Sequence, residues 1–244
     1  MTEPLDAMAV AMAVDEIDAG SDRFADVVAG LSEAALRGPS LLPGWTRGHV
    51  ATHVARNAEA CLNLLHTAAT GETRPMYGSA AERNDAIDAG AGRNADDLMV
   101  DLQASAAEFS DAARSLPLDR WDHKVTLMNG RVVTAGYVLP GRMREVEFHH
   151  VDLDAGYLPT QWDPGFARAC LDEFVASMSG KGVVPNLTLH ATDRPGEMWV
   201  VRGIGTPIAV SGPRAALLAW VAGRANGAGL TAGEADLPEL PPWP

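Results

Sequence analysis

Residues 46–70 read TRGHVATHVARNAEACLNLLHTAAT, and this stretch decides the fold. Val50, Val54, Ala58, Cys61, Leu62 and Leu65 recur at intervals of three and four, so on a helix they form one apolar stripe that must face a core. Thr46 is a good N-cap and Gly71 a good stop. Two histidines share this helix. Counted from Thr46, His49 is the third helical residue, where a side chain caps exposed backbone N–H groups or meets solvent. His53 lies a turn deeper, beside Val50 and Val54 and one turn before Asn57, so it is the better placed to face an interior.

Outward from this helix the same grammar continues. Residues 5–30 carry Leu5, Met8, Met12, Ile17, Phe24, Val27 and Val28 at helical spacing, and 38–44 (GPSLLPG) is a breaker-rich loop. A third helix is expected in two pieces, 80–89 and 95–115, interrupted by Gly90 and Gly92 and ended before Pro117, with Leu98, Leu102, Ala106 and Phe109 facing inward. Residues 117–135 read as a connector. A fourth helix is expected from Thr134 to about Ala155, with Pro140 as a possible kink and Gly156 and Pro159 as the stop. Four such helices predict a bundle whose core can hold a site built from facing side chains. Beyond it the pattern changes to a helix over 164–179, short alternating runs at 186–192, 197–202 and 207–211, a helix over 213–225 and an extended tail at 237–244. The expected fold class is therefore α+β: a helical bundle over 1–158 and a small α/β domain over 159–244.

Composition narrows the function. Among 244 residues, 19 Lys+Arg stand against 32 Asp+Glu for a net charge of -13, which repels nucleic-acid phosphates and anionic membranes. No run approaches the roughly 20 apolar residues of a membrane helix. Glu3 and Asp6, with no early Lys or Arg, are unlike a secretory signal, so a cytoplasmic location is expected. The two cysteines, Cys61 and Cys170, form no CxxC pair, so any metal must take His, Asp or Glu. Cys61 on the apolar stripe reads as a small buried hydrophobe, and Cys170 has no base beside it.

In Arg144-Glu-Val-Glu-Phe-His-His-Val-Asp152, Glu145 and His149 stand four residues apart, project from one helical face and can chelate a single ion. Asp152 extends that face. A third donor from the second helix would complete a His, His, carboxylate set with an open position, the catalytic form of a zinc site. Such pairs also arise by chance, and both histidines can equally be ordinary hydrogen-bonded polar residues. Glu147 and His150 point to another side and are expected at the surface or a domain boundary, with no catalytic role. His66, His123 and His190 stand alone.

The segments Leu42-Pro-Gly-Trp-Thr-Arg-Gly-His-Val-Ala-Thr-His-Val-Ala-Arg-Asn57, Thr70-Gly-Glu-Thr-Arg-Pro-Met-Tyr77, Glu82-Arg-Asn84, Arg144–Leu153 and Trp220-Val-Ala-Gly-Arg224, with the Pro-rich end, resemble the mycothiol-dependent maleylpyruvate isomerases of the DinB-like metalloprotein superfamily. The likeness runs over nearly the whole chain. It implies a zinc ion on His53, Glu145 and His149 in the bundle; Asp152, one turn from His149, is by its spacing either an acceptor for a ligand imidazole or a polar residue near the helix end. It also implies Arg83 and Arg224 as the arginines for the substrate carboxylates. The implied activity is cis-trans isomerisation of maleylpyruvate to fumarylpyruvate in aromatic-compound degradation, by reversible addition of a zinc-activated mycothiol thiolate. The implied partners are a small dicarboxylate and mycothiol, with no nucleic acid, no membrane and a monomeric chain. His150 departs from the family, where a small residue is frequent. Two other readings predict different behaviour: a zinc-dependent mycothiol S-transferase consumes thiol, and a non-catalytic binding module holds no zinc.

Overall fold

The computed structural model describes residues 5–243, and the chain divides into two compact units, one up to Ala155 and one from Gly156. Among the described residues the first holds six α-helices: α1 (Ala7–Ala29), α2 (Glu33–Leu36), α3 (Arg47–Thr70), α4 (Ala80–Gly90), α5 (Ala95–Ser115) and α6 (Val138–Asp152). α1 and α3 each pack against both α5 and α6, which makes these four the bundle, while α4 lies along α3. Two apolar clusters fill it. Ile17, Leu64, Leu65, Phe109 and Trp121 anchor one, and Phe24, Val50, Val54, Leu98, Leu102 and Val146 the other.

The first five helices start at side-chain caps. Asp6, Ser32, Thr46, Ser79 and Asn94 cap α1 to α5 with side-chain oxygens on free backbone N–H groups, as short polar side chains do. Gly71, at φ 79°, ends α3 in the left-handed region, which a glycine enters without steric cost. The short helix α2 has no counterpart among the elements expected from sequence.

Two expectations for 117–155 need correction. The connector contains a small antiparallel hairpin, β1 (Lys124–Thr126) with β2 (Val132–Thr134). Three-residue strands are too short to show a period. The fourth helix proper begins at Val138, after a 3-10 turn at Ala135–Tyr137. Pro140 thus falls in the first turn, where its missing N–H has no helical acceptor to lose, and gives no reason for a kink.

α3 and α4 approach so closely that a Cβ on Gly48 would run into the Ala91 carbonyl oxygen, and one on Gly90 into the Thr52 side chain. Backbone cannot move aside as a flexible side chain does. Gly48→Ala is therefore expected to lower stability by about 1–3 kcal/mol, read as a lower urea midpoint at unchanged slope.

The second unit contains α7 (Pro164–Met178), α8 (Arg214–Val221) and a three-stranded sheet in the order β4-β3-β5. β3 (Pro185–Ala191) pairs antiparallel with β4 (Met198–Val201) and parallel with β5 (Ile204–Gly212). α7 packs on β4 and α8, and α8 on β3 and β5. The tail docks within this unit: Trp243 donates its indole N–H to Ser177 Oγ at 3.1 Å and meets Phe174 edge-on. Pro244, the last residue of the expected extended tail, lies outside the described residues. Among the described residues no helix is long and apolar enough to cross a membrane.

Candidate metal centre

α3 and α6 cross so that their polar residues converge inside the bundle. His53 Nε2 is 3.1 Å from Glu145 Oε2, and His149 Nε2 is 3.3 Å from the same oxygen. The two imidazoles meet nearly perpendicular with centroids 4.6 Å apart, and one donor atom from each of the three residues lies within 4.8 Å of the others. A tetrahedral ion with bonds of about 2.0–2.1 Å has edges of about 3.3 Å between its donors. The His–Glu separations match that edge, so the residues present fit a divalent metal. Among the described residues this is the group of three or more His, Cys, Asp or Glu side chains able to hold one.

The surroundings set the protonation of each donor. His53 is buried, and burial, with His149 and Arg83 nearby, lowers its pKa to about 4. It is thus neutral at pH 7, the form that ligates. Burial alone would push the Glu145 carboxyl up, but hydrogen bonds from His149 and His53 outweigh it and hold the group well below its ordinary value. For His149 burial pulls downward, yet the carboxylates of Asp152 and Glu145 carry the net shift upward. Asp152, buried at the end of α6, accepts from His149 Nδ1 at 2.9 Å. That bond keeps a proton on Nδ1 and leaves Nε2 as the nitrogen that faces Glu145 and could ligate a metal.

A half-buried rim stands over the donors. The Arg83 guanidinium lies 3.2 Å from His53 Nδ1, with its carbon 5.9 Å from the Trp45 ring and 5.7 Å from the Tyr77 ring. Trp45 also meets His53 edge-on. Two cavities flank the 76–78 segment, of about 490 Å³ on the side of β1 and about 190 Å³ on the side of Arg83. The loop before α3 is tied to the end of α6: the Leu41 N–H donates to the Asp152 carbonyl, and Arg47 to the Asp154 carbonyl at 2.9 Å. These bonds hold Trp45 and the start of α3 against the helix that carries the other two donors.

His49 stays out of the cluster. It closes a capping box, its Nδ1 accepting from the Thr46 N–H at 3.2 Å. Cys61 is buried and its thiol is pushed up to about 12 by that burial, which leaves it a packing residue. Cys170 is buried within α7. Arg224 belongs to the second unit, in the turn after α8, where its Nη1 donates to the Ala222 carbonyl at 2.7 Å.

Glu147 and His150, expected at the surface or a domain boundary, are buried against α1. They are 4% and 1% exposed. Glu147 accepts from Arg23 of α1 at 3.0 Å, and His150 meets Phe24 of α1 edge-on at 5.5 Å. Every residue from Val146 to Asp152 is buried, because this end of α6 is enclosed on all sides and a single-stripe reading of an amphipathic helix does not apply. Sequence reasoning also missed Arg142, buried at 1% exposure beside the donors. Its position one turn before Glu145, on the same face, was the available signal.

The chain is thus a helical bundle carrying a two-histidine, one-carboxylate set that could hold a metal, followed by a small α/β unit. The mycothiol maleylpyruvate isomerase N-terminal domain matches residues 17–154, and the MDMPI C-terminal domain residues 161–242. The chain belongs to the mycothiol-dependent maleylpyruvate isomerase family. A crystal structure of the mycothiol-dependent maleylpyruvate isomerase is similar at 32% identity and a TM-score of 0.89, over 96% of this chain and 97% of that one. A histidine-to-alanine mutant of that isomerase is similar at 31% identity and a TM-score of 0.88, again over 96% and 97%. Among the curated proteins nothing matches.

Proposed function

We propose that this chain isomerises maleylpyruvate to fumarylpyruvate with mycothiol as thiol cofactor and zinc on His53, Glu145 and His149. The observation that carries the reading is the convergence of those three donors from α3 and α6 within 4.8 Å, in a family that bears this activity in its name. Bound zinc supplies the charge that keeps a thiol, ordinarily protonated below a pKa of about 8.5, as thiolate at neutral pH. Mycothiol supplies the nucleophile whose reversible addition leaves a single bond free to turn from cis to trans.

The chain's own residues prepare the site. Asp152 holds the proton of His149 at Nδ1, which frees Nε2 as a donor. Burial keeps His53 neutral. Trp45 and Tyr77 flank Arg83 and limit the water around an anion it holds. Arginine only donates hydrogen bonds, so in its present contact His53 accepts at Nδ1 and carries its proton on Nε2. Were His53 to ligate a metal through Nε2, its proton would sit on Nδ1 and the Arg83 guanidinium would be available to a substrate carboxylate. Arg224 takes the second carboxylate on the family pattern. The net charge of -13 does not oppose a dianion here, because salt screens surface charge beyond about 8 Å while a guanidinium binds a carboxylate directly and bidentately.

The test is the ultraviolet change from cis to trans product with catalytic mycothiol, run with and without the thiol. Stoichiometric loss of thiol in place of isomerisation would identify a transferase, and no turnover with mycothiol would end the proposal. Arg83→Ala and Arg224→Ala are each expected to raise KM at least about tenfold, for a lost charge-assisted contact of about 1.5–3 kcal/mol. Zinc content should stay at the parent level in both; loss of zinc would show that the arginine serves the metal and not the substrate.

A further inference from the structure

Of the described residues Arg142 is the largest fully buried side chain, at 1% exposure. Among the described residues no carboxylate pairs with it, and its Nε finds no acceptor. A guanidinium held away from water with no ion-pair partner, only the field of nearby Glu145, costs the fold stability, and an apolar residue of similar volume often serves better. What it touches explains its presence. Nη1 donates to the Val54 carbonyl at 2.8 Å and to Asn57 Oδ1 at 3.0 Å. Val54 directly follows His53, and Asn57 is one turn further along α3. Arg142 itself is one turn before Glu145 and two turns before His149 on α6. The Val54 carbonyl lies inside α3, where the helix supplies its own donor, so the extra bond is not needed to satisfy it. Its effect is to fix α3 against α6 at the level of the three donors.

We propose that Arg142 is a positioning residue of the metal centre: it pins the turn of α3 that carries His53 to the helix that carries Glu145 and His149. The inference rests on the metal reading above. Arg142 touches none of the donors directly and acts through the distance between the two helices.

The test compares the purified parent chain with Arg142→Met, Arg142→Lys and Asn57→Ala. The readouts are zinc affinity by chelator competition, the visible spectrum with cobalt in place of zinc, and the urea midpoint of the metal-free chain. Arg142→Met is expected to keep or raise the urea midpoint yet weaken zinc binding about 10–100-fold, the range found when residues supporting metal ligands are lost. Its cobalt absorption should fall away from that of a four-coordinate site. Arg142→Lys, which retains a donor for the Val54 carbonyl, should recover part of the affinity. Arg142→Met with parental zinc affinity and cobalt spectrum overturns the proposal. So does tighter zinc binding, the result expected if the buried charge merely repels the ion. Should Arg142→Met fail to fold, Asn57→Ala decides, because it removes one of the two struts and leaves the guanidinium: weaker zinc binding supports the pin and unchanged binding overturns it. A parent chain without zinc affinity overturns the metal reading itself, which is distinct from a parent that binds and a variant that binds equally well.

Discussion

His53→Ala is expected to abolish both zinc retention and isomerisation while leaving the bundle folded. Removing a group that only supports a ligand costs about 10–100-fold in metal affinity, so deleting one of three ligands should exceed the upper end of that range. Two donors from α6 alone, Glu145 and His149, sit on one face of one helix and cannot enclose an ion without α3. The fold should survive, because His53 makes polar contacts in a cluster while the neighbouring core is carried by Val50 and Val54. Glu145→Gln should behave in the same way, since an amide keeps the shape but loses the charge that holds a cation. The control is His49→Ala. That histidine belongs to the capping box of α3, so its loss should cost at most about 1 kcal/mol of stability and leave metal content unchanged. Elemental analysis of the dialysed proteins, paired with the isomerisation assay, checks all three. Metal retained by His53→Ala at the parental level would remove this residue from the ligand set.

The contrast between His49 and His53 also shows what the sequence made legible. Thr46 as N-cap placed both residues by counting, and a difference of four positions separated a capping side chain from an inward one. The same counting put Glu145, His149 and Asp152 on one face of α6, where they stand. Local periodicity holds such information because helical geometry is fixed at 3.6 residues per turn. What escaped depends on which faces are covered, and that is a tertiary property. Glu147 and His150 read as facing the surface or a domain boundary because a helix reads as two-faced from its own sequence. They are inside because α1 covers the other face with Arg23 and Phe24. Arg142 was passed over because an arginine in isolation reads as solvent-exposed. Its acceptors, Val54 O and Asn57 Oδ1, are 88 and 85 residues away in the chain. The β1–β2 hairpin escaped because Lys124–Thr126 and Val132–Thr134 are each too short for an alternation of period two to repeat.

The burial of His150 predicts how stability responds to acid. Enclosure in the bundle, with the Arg23 guanidinium nearby, lowers its pKa to about 4 from an ordinary 6.5. Arg23 of α1 is itself paired with Glu147 of α6. The unfolded chain takes up a proton at His150 as the pH falls through 6.5, whereas the folded chain does not until the pH nears 4. Over that interval the unfolded state binds more protons, so stability decreases as pH decreases, and the loss is complete once the pH is below both values. At about 1.36 kcal/mol per pH unit, the gap amounts to roughly 3 kcal/mol, an upper figure for a group whose surroundings can relax. His150→Leu removes the titration while keeping an uncharged side chain of similar size in the same space. Urea unfolding of parent and variant at pH 7.5, 6.5, 5.5 and 4.5 should therefore give two curves that converge or diverge by up to that amount below pH 6.5 and run parallel above it, with the parent losing more. Taking the difference cancels every other titrating group common to both chains, including His53 and His149. Curves that stay parallel down to pH 4.5 would mean that His150 titrates in the folded chain as it does in water, and that its enclosure against α1 is not maintained in solution.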